Sequence, residues 1–210
     1  MQGLPVKEVI GDKLLLTIAI TVAATILTWI IVLPIGLYSA MRQYSVGDYT
    51  ATFLGFLGLA VPDFLLALWL MWFMFVYFPD IGIGGLFSNE YIEAPWSFAR
   101  VMDLISHLWI AAFVVGTAGT AALIRVMRAN LLDELHRPYV VTARAKGLPE
   151  WKIIWKHAFR NAAIVPLTFA SVVISSLVTG SIVVETIFAW PGMGQLAIQA
   201  INARDYHVVQ

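Results

Sequence analysis

The sequence predicts an all-α fold, a polytopic transmembrane helical bundle. Hydrophobic residues make up 60% of its 210 positions and charged residues only 12%, and the mean hydropathy is +0.82. A water-soluble domain has no core large enough to hide that much apolar surface, so lipid must be the solvent for most of it. The length holds four or five spans of about 20 residues each and no further soluble domain of usual size, so a single transmembrane domain over 1–210 is expected.

The first thirteen residues carry Lys7, Glu8, Asp12 and Lys13. The uncharged run after them, 14–41, is far longer than the apolar core of a signal peptide, so it is read as a retained span. Arg42 to Thr50 is a short polar turn. The second span, 51–78, is apolar except for Asp63. From Pro79 to Asp103 the chain is rich in Gly, Pro and acidic residues, with Tyr91, Trp96 and Trp109 placed as an interfacial aromatic belt would be. A third span is expected over 104–126, with Ala112, Gly116 and Thr120 as a small-residue stripe that lets another helix come close. The fourth covers 161–184, and an outer turn and tail fill 185–210.

Topology follows from charge. Arg125, Arg128, Arg137, Arg144, Lys146, Lys152, Lys156 and Arg160 are eight of the thirteen Lys and Arg residues, so this segment is expected to be cytoplasmic. The Arg42 turn, two spans away, is then cytoplasmic too. The N-terminus, the 79–103 loop and the tail face outward.

A loop of about 128–160 divides into two short helices. Arg137 to Lys146 favours a helix, Gly147 can close it in a left-handed conformation, and Pro149 suits the first turn of the next. In that second helix Trp151, Ile154, Trp155, Ala158 and Phe159 fall on one face at α-helical spacing, with Glu150, Lys152, Lys156 and Arg160 on the other. It is expected to lie on the membrane surface with its basic face in water, leaving the first helix projecting into the cytosol. Shape alone does not separate such a docking elbow from the amphipathic loops of other multi-pass proteins.

The stretch Tyr139-Val140-Val141-Thr142-Ala143-Arg144-Ala145-Lys146-Gly147, with Leu148 to Trp155 and His157 to Ala162 behind it, resembles the coupling loop of permeases of ATP-binding-cassette importers, in the dipeptide, oligopeptide, opine and nickel branch. It departs from the general pattern in having Pro138 where an acid is common before the tyrosine, and Val141-Thr142-Ala143 in place of Glu-Ala-Ala. Val184 to Gly194 resembles the outer turn of the same family, and Arg204-Asp205-Tyr206 the stretch before its last span. The resemblance implies further spans before Leu4 and after Gln210, so a four-span core is expected. It also implies that Tyr139 to Gly147 fits a cleft on an ATPase subunit and receives nucleotide-driven motion. The partners it implies are a second permease subunit, two ATPase subunits that bind ATP and Mg, and an extracytoplasmic substrate-binding protein. The chain itself is expected to hold no cofactor, to contact lipid and to bind no nucleic acid. Peptides are the expected cargo, with nickel or opines as alternatives.

Pro191, Gly192 and Gly194 allow irregular backbone, tolerable at the outer mouth only where it lines water or protein. Glu185, Trp190, Pro191 and Gly192 are therefore candidates for the substrate pathway, with a plain exterior turn as the other reading. Asp63, beside Pro62, reads as the only carboxylate within a span. Against lipid it would cost about 2.5 to 3.5 kcal/mol, so it should face the bundle interior. It lines the pathway or bonds to a neighbouring helix.

No phosphate-cradling Gly-x-x-x-x-Gly-Lys-Ser/Thr sequence occurs, so ATP hydrolysis by that route belongs to a partner chain. An intramembrane aspartyl protease needs two carboxylates sharing a proton, and Ser181 lacks the Gly-x-Ser-x-Gly elbow of a serine hydrolase. The chain is expected not to be an enzyme. A proton-coupled carrier remains the rival among transporters, and a scaffold the rival outside them. With no cysteine, and with His107, His136, His157 and His207 at no ligand spacing, no metal site is expected.

Overall fold

The computed structural model describes residues 6–78, 87, 88, 90, 91 and 94–206, and every regular element among them is helical. The loop positions 79–86, 89, 92 and 93, and the tail 207–210 with His207, lie outside the described residues. In chain order the elements are α1 (Val6–Met41), α2 (Val46–Ala60), α3 (Asp63–Tyr77), α4 (Phe98–Leu135), α5 (Pro138–Ala145), α6 (Glu150–Lys152), a π-helical stretch (Ile153–Ala158), α7 (Phe159–Ala162), α8 (Ile164–Ile187) and α9 (Met193–Asn202).

Two stretches of helix, Lys13–Met41 and Ala112–Leu135, are long and apolar enough to cross a membrane by themselves. Val46–Ala60 with Asp63–Tyr77, and Glu150–Ala162 with Ile164–Ser175, qualify only as pairs. Both interruptions have a proline cause. The expected single span 51–78 is broken at Val61 and Pro62, because Pro62 supplies no N–H and biases the residue before it away from helical backbone. Asp63 therefore opens α3, directly after the break between the two helices of the pair. The second pair bends by 48° at its break. Pro166 cannot donate to the carbonyl of Ala162, and its ring would press on that carbonyl in a straight helix.

The third helix is longer than the expected 104–126. It begins at Phe98, inside the stretch read as loop, and continues to Leu135. Leu123, Met127 and Leu131 are buried at four-residue spacing and carry the apolar stripe past Arg125 into the segment read as polar. Ala112, Gly116 and Thr120 are all buried, as a close-packing stripe requires. The fourth helix also overruns its expected end at 184. It includes Glu185, so Asp63 is not the only carboxylate in a spanning helix.

The chain divides into two compact units, one from the described residues of 1–27, 61–116 and 176–210, the other from 28–60 and 117–175. In the first, Ile20, Val114, Val184, Phe188, Trp190 and Leu196 are buried, and the Phe188 and Trp190 rings stack at 4.6 Å. Ser88 donates from its backbone N–H (2.8 Å) and its hydroxyl (2.6 Å) to Asp103, while the Arg100 guanidinium lies 4.7 Å from the Phe87 ring and 4.6 Å from that of Trp96. These contacts fold the described part of the outer loop onto the start of α4.

In the second unit helices approach closely at glycine. A Cβ on Gly36 would stand 2.8 Å from Met127 Cγ, and one on Gly119 would collide with Val173. Lipid offers helices no hydrophobic drive to associate, so such close backbone packing takes its place.

Candidate functional site

The second unit is built around a cluster of Leu37 and Ala40 from α1, Leu131 from α4, Val140 and Ala143 from α5, and Ile153, Ile154, Ala158 and Ala162 from the helix beyond. The end of α1 and the elbow thus share one core. The helix-glycine-helix elbow sits on it. Arg137 precedes the first helix, and Pro138 fills its first position, where the missing N–H costs nothing. Gly147 ends the turn with φ of +73°, a left-handed conformation that costs glycine nothing and other residues strain. Pro149 stands just ahead of the second helix as its N-cap, one residue earlier than its expected place in the first turn.

The docking stretch is not exposed all round. Val140 and Ala143 point into the core, whereas Tyr139, Val141, Thr142, Arg144, Ala145, Lys146 and Gly147 are exposed. Rather than projecting freely, α5 is seated by one face and offers the other.

Side chains brace both ends of α5. The Tyr139 hydroxyl donates to Glu134 and accepts from Asn161 Nδ2 at 3.0 Å, which ties α5 to α4 and α7. Partial desolvation of the phenol, and then donation to Glu134, hold it above its usual pKa, so it stays a donor. Across the glycine, Arg144 Nη2 meets Glu150 Oε1 at 2.6 Å.

On the second helix Trp151 and Trp155 do not pack into the protein core and stay open to the lipid that their face was expected to meet. The buried residues are Ile153, Ile154, Ala158 and Ala162. Ile153 joins them through the π-helical stretch, in which the N–H of Phe159 donates to the carbonyl of Ile154 five residues back. That wider turn brings Ile153 and Ala158 onto one side, and an α-helical wheel puts them elsewhere.

A further tie in this unit has no local signature. Arg128 donates to Asp48 through Nε and Nη2, both at 2.8 Å, over a separation of 80 residues. Asp48 also accepts from the Tyr44 N–H at 2.9 Å, and Ser45 Oγ accepts from the Asp48 N–H at 3.2 Å. The spacing Ser-x-x-Asp is a capping signature and marks the local half of this network.

The residues assigned to the pathway all belong to the first unit and do not share one surface. Pro62 is exposed, and Asp63 and Pro191 are partly exposed. Trp190, Gly192 and Glu185 are buried. Glu185 accepts from Thr17 Oγ1 (3.0 Å), Ser181 Oγ (3.2 Å) and the Gly194 N–H (2.7 Å), while Thr17 Oγ1 accepts from the Met193 N–H at 2.9 Å. The carboxylate is thus the pin of the outer turn. Among the described residues no group of His, Asp and Glu is arranged to hold a metal ion.

The described residues thus form an elbow with one seated face and one offered face, closed by a left-handed glycine, on an all-helical chain. Residues 32–210 match the profile of the binding-protein-dependent transport system inner membrane component family. The chain belongs to that family. The chain is similar to the oligopeptide transport system permease protein AppB of Bacillus subtilis, with 40% identity over 99% of this chain and 64% of the relative. It is similar to the dipeptide transport system permease protein DppB of Alkalihalophilus pseudofirmus, with 34% identity over 98% of this chain and 66% of that protein. The inner membrane ABC transporter permease protein YejB of Escherichia coli O157:H7 is 33% identical over 97% of this chain and 57% of its own length. The chain therefore spans less than two thirds of the length of each of these curated relatives. As a member of the inner membrane component family, it is a multi-pass membrane protein.

Proposed function

We propose that this chain forms part of the translocation pathway of an ATP-driven, binding-protein-dependent importer of peptides, and that α5 receives the motion of an ATPase subunit. The observation that carries the reading is the half-seated α5, with Val140 and Ala143 in the core and Val141, Thr142 and Ala145 offered outward next to Gly147. A partner gripping the offered face would move the α1, α4 and α7 residues that share the α5 core, because packed interiors transmit displacement. The relatives named as oligopeptide and dipeptide permeases support peptides as the cargo.

In this reading an external binding protein delivers the peptide, two permease subunits enclose its path, and two ATPases with ATP and Mg close against the coupling helices. The chain takes no catalytic part. Nucleotide biases a two-state element, which is what makes the contact a coupling. The elbow and the Arg42 turn face the cytosol, consistent with their shared core.

The test is reconstitution of the complete importer with its ATPase and binding protein. Peptide-stimulated ATP hydrolysis and ATP-dependent uptake are expected. Uptake driven by a proton gradient without ATP would instead identify a secondary carrier.

A further inference from the structure

On the outward side of the second helix the exposed side chains fall at four-residue spacing into two rows. Trp151 and Trp155 stand in one, 67% and 54% exposed, with Phe159 beneath Trp155 in an edge-on contact at 5.2 Å. Lys152, Lys156 and Arg160, four residues apart, stand in the other, the first partly exposed and the other two exposed.

These cations differ from three arginines before them, although Lys146 is likewise without an ion pair among the described residues. Arg128, Arg137 and Arg144 pair with Asp48, Glu134 and Glu150, whereas among the described residues Lys152, Lys156 and Arg160 enter no ion pair. A row of three unneutralised charges beside a row of exposed indoles asks for an anionic surface with an apolar floor. Indoles favour the headgroup level of a membrane, and basic side chains beside them attract anionic lipids.

We propose that the outward side of Glu150–Ala162 is a binding surface for anionic phospholipid headgroups, with Lys152, Lys156 and Arg160 contacting phosphate and Trp151 and Trp155 lying among the lipid chains below it. An acidic protein surface would match the charges but leave the two tryptophans without an apolar neighbour. The proposal rests on residues of Glu150–Ala162 and does not depend on what docks against α5. The occupant of this surface would hold the helix that α5 packs against at a fixed depth in the membrane.

The test uses the full chain in phosphatidylcholine vesicles containing about a quarter phosphatidylglycerol, with bromine carried either by the phosphatidylglycerol or by an equal amount of the phosphatidylcholine. The fluorescence difference between the wild type and a W151F/W155F variant isolates the two indoles. Brominated phosphatidylglycerol is expected to quench them about twofold more than brominated phosphatidylcholine. The excess should vanish in K152Q/K156Q/R160Q and shrink at high salt. Unchanged quenching by brominated phosphatidylcholine in that variant shows that it is still inserted, and K156Q with a salt titration serves if it is not. Equal quenching by the two lipids in the wild type overturns the proposal, as does an excess that survives removal of the charges or high salt.

Discussion

Arg128 closes a two-point ion pair on Asp48, Nε to Oδ1 and Nη2 to Oδ2, and so fixes the turn after α1 against α4. The Asp48 side chain is 3% exposed and that of Arg128 26%. Loss of the carboxylate leaves a partly buried guanidinium without its partner and frees the Tyr44 N–H. Asp48→Ala is expected to lower stability by about 2 to 3 kcal/mol, below the full penalty for a wholly buried pair. Thermal unfolding in detergent measures this, and Asp48→Asn should lose less because its amide oxygen still accepts one hydrogen bond.

The Arg144–Glu150 pair makes a useful contrast. Its side chains are 42% and 55% exposed, so water screens it. Glu150→Gln is expected to change stability by less than about 1 kcal/mol in the same measurement.

The outer turn predicts a ranking among glycines. The nearest atoms to a Cβ on Gly192 are those of the Glu185 carboxylate, at 2.5 Å, whereas one on Gly194 would stand 2.5 Å from Ile182 Cα, which is backbone. Gly194→Ala should therefore destabilise more than Gly192→Ala, because a helix yields less readily than a side chain. Limited proteolysis within 190–200 and thermal unfolding both read the order.

Gly147 has open space around a Cβ, so only its left-handed backbone resists substitution. Gly147→Ala is expected to cost about 1 to 2 kcal/mol and Gly147→Asn less. Gly147→Pro cannot adopt φ of +73° and should separate ATP hydrolysis from uptake in the assembled importer. Wild-type uptake in the proline variant would count against the role of the elbow.

The legible parts of this protein are those with local signatures. A left-handed glycine between two helix-forming runs marks the turn at Gly147, and uncharged runs mark the spans. Pro62 and Pro166 are visible too, yet length and hydropathy average over them and join what they break. The burial of Ile153 is hidden, because a helical wheel assumes α-helical spacing and the π-helical stretch changes it. Partners far apart in the chain carry no pattern at all: Asp48 with Arg128, and Thr17 with Glu185. Glu185 also shows how composition misleads. A carboxylate at a span end suggests a solute-facing group, but three donors satisfy it inside the packed turn.

The most direct test of the docking role uses the absence of cysteine from the chain, which makes single-cysteine variants unambiguous. Cysteines at Val141, Ala145, Val140 and Ala143 are cross-linked to the ATPase subunit in assembled importer, with and without nucleotide. Val141→Cys and Ala145→Cys should link in a nucleotide-dependent way, and the inward Val140→Cys and Ala143→Cys should link little or not at all. Labelling of Val141→Cys only from outside the cell, or no link to the ATPase from either outward position in an intact complex, would contradict the account.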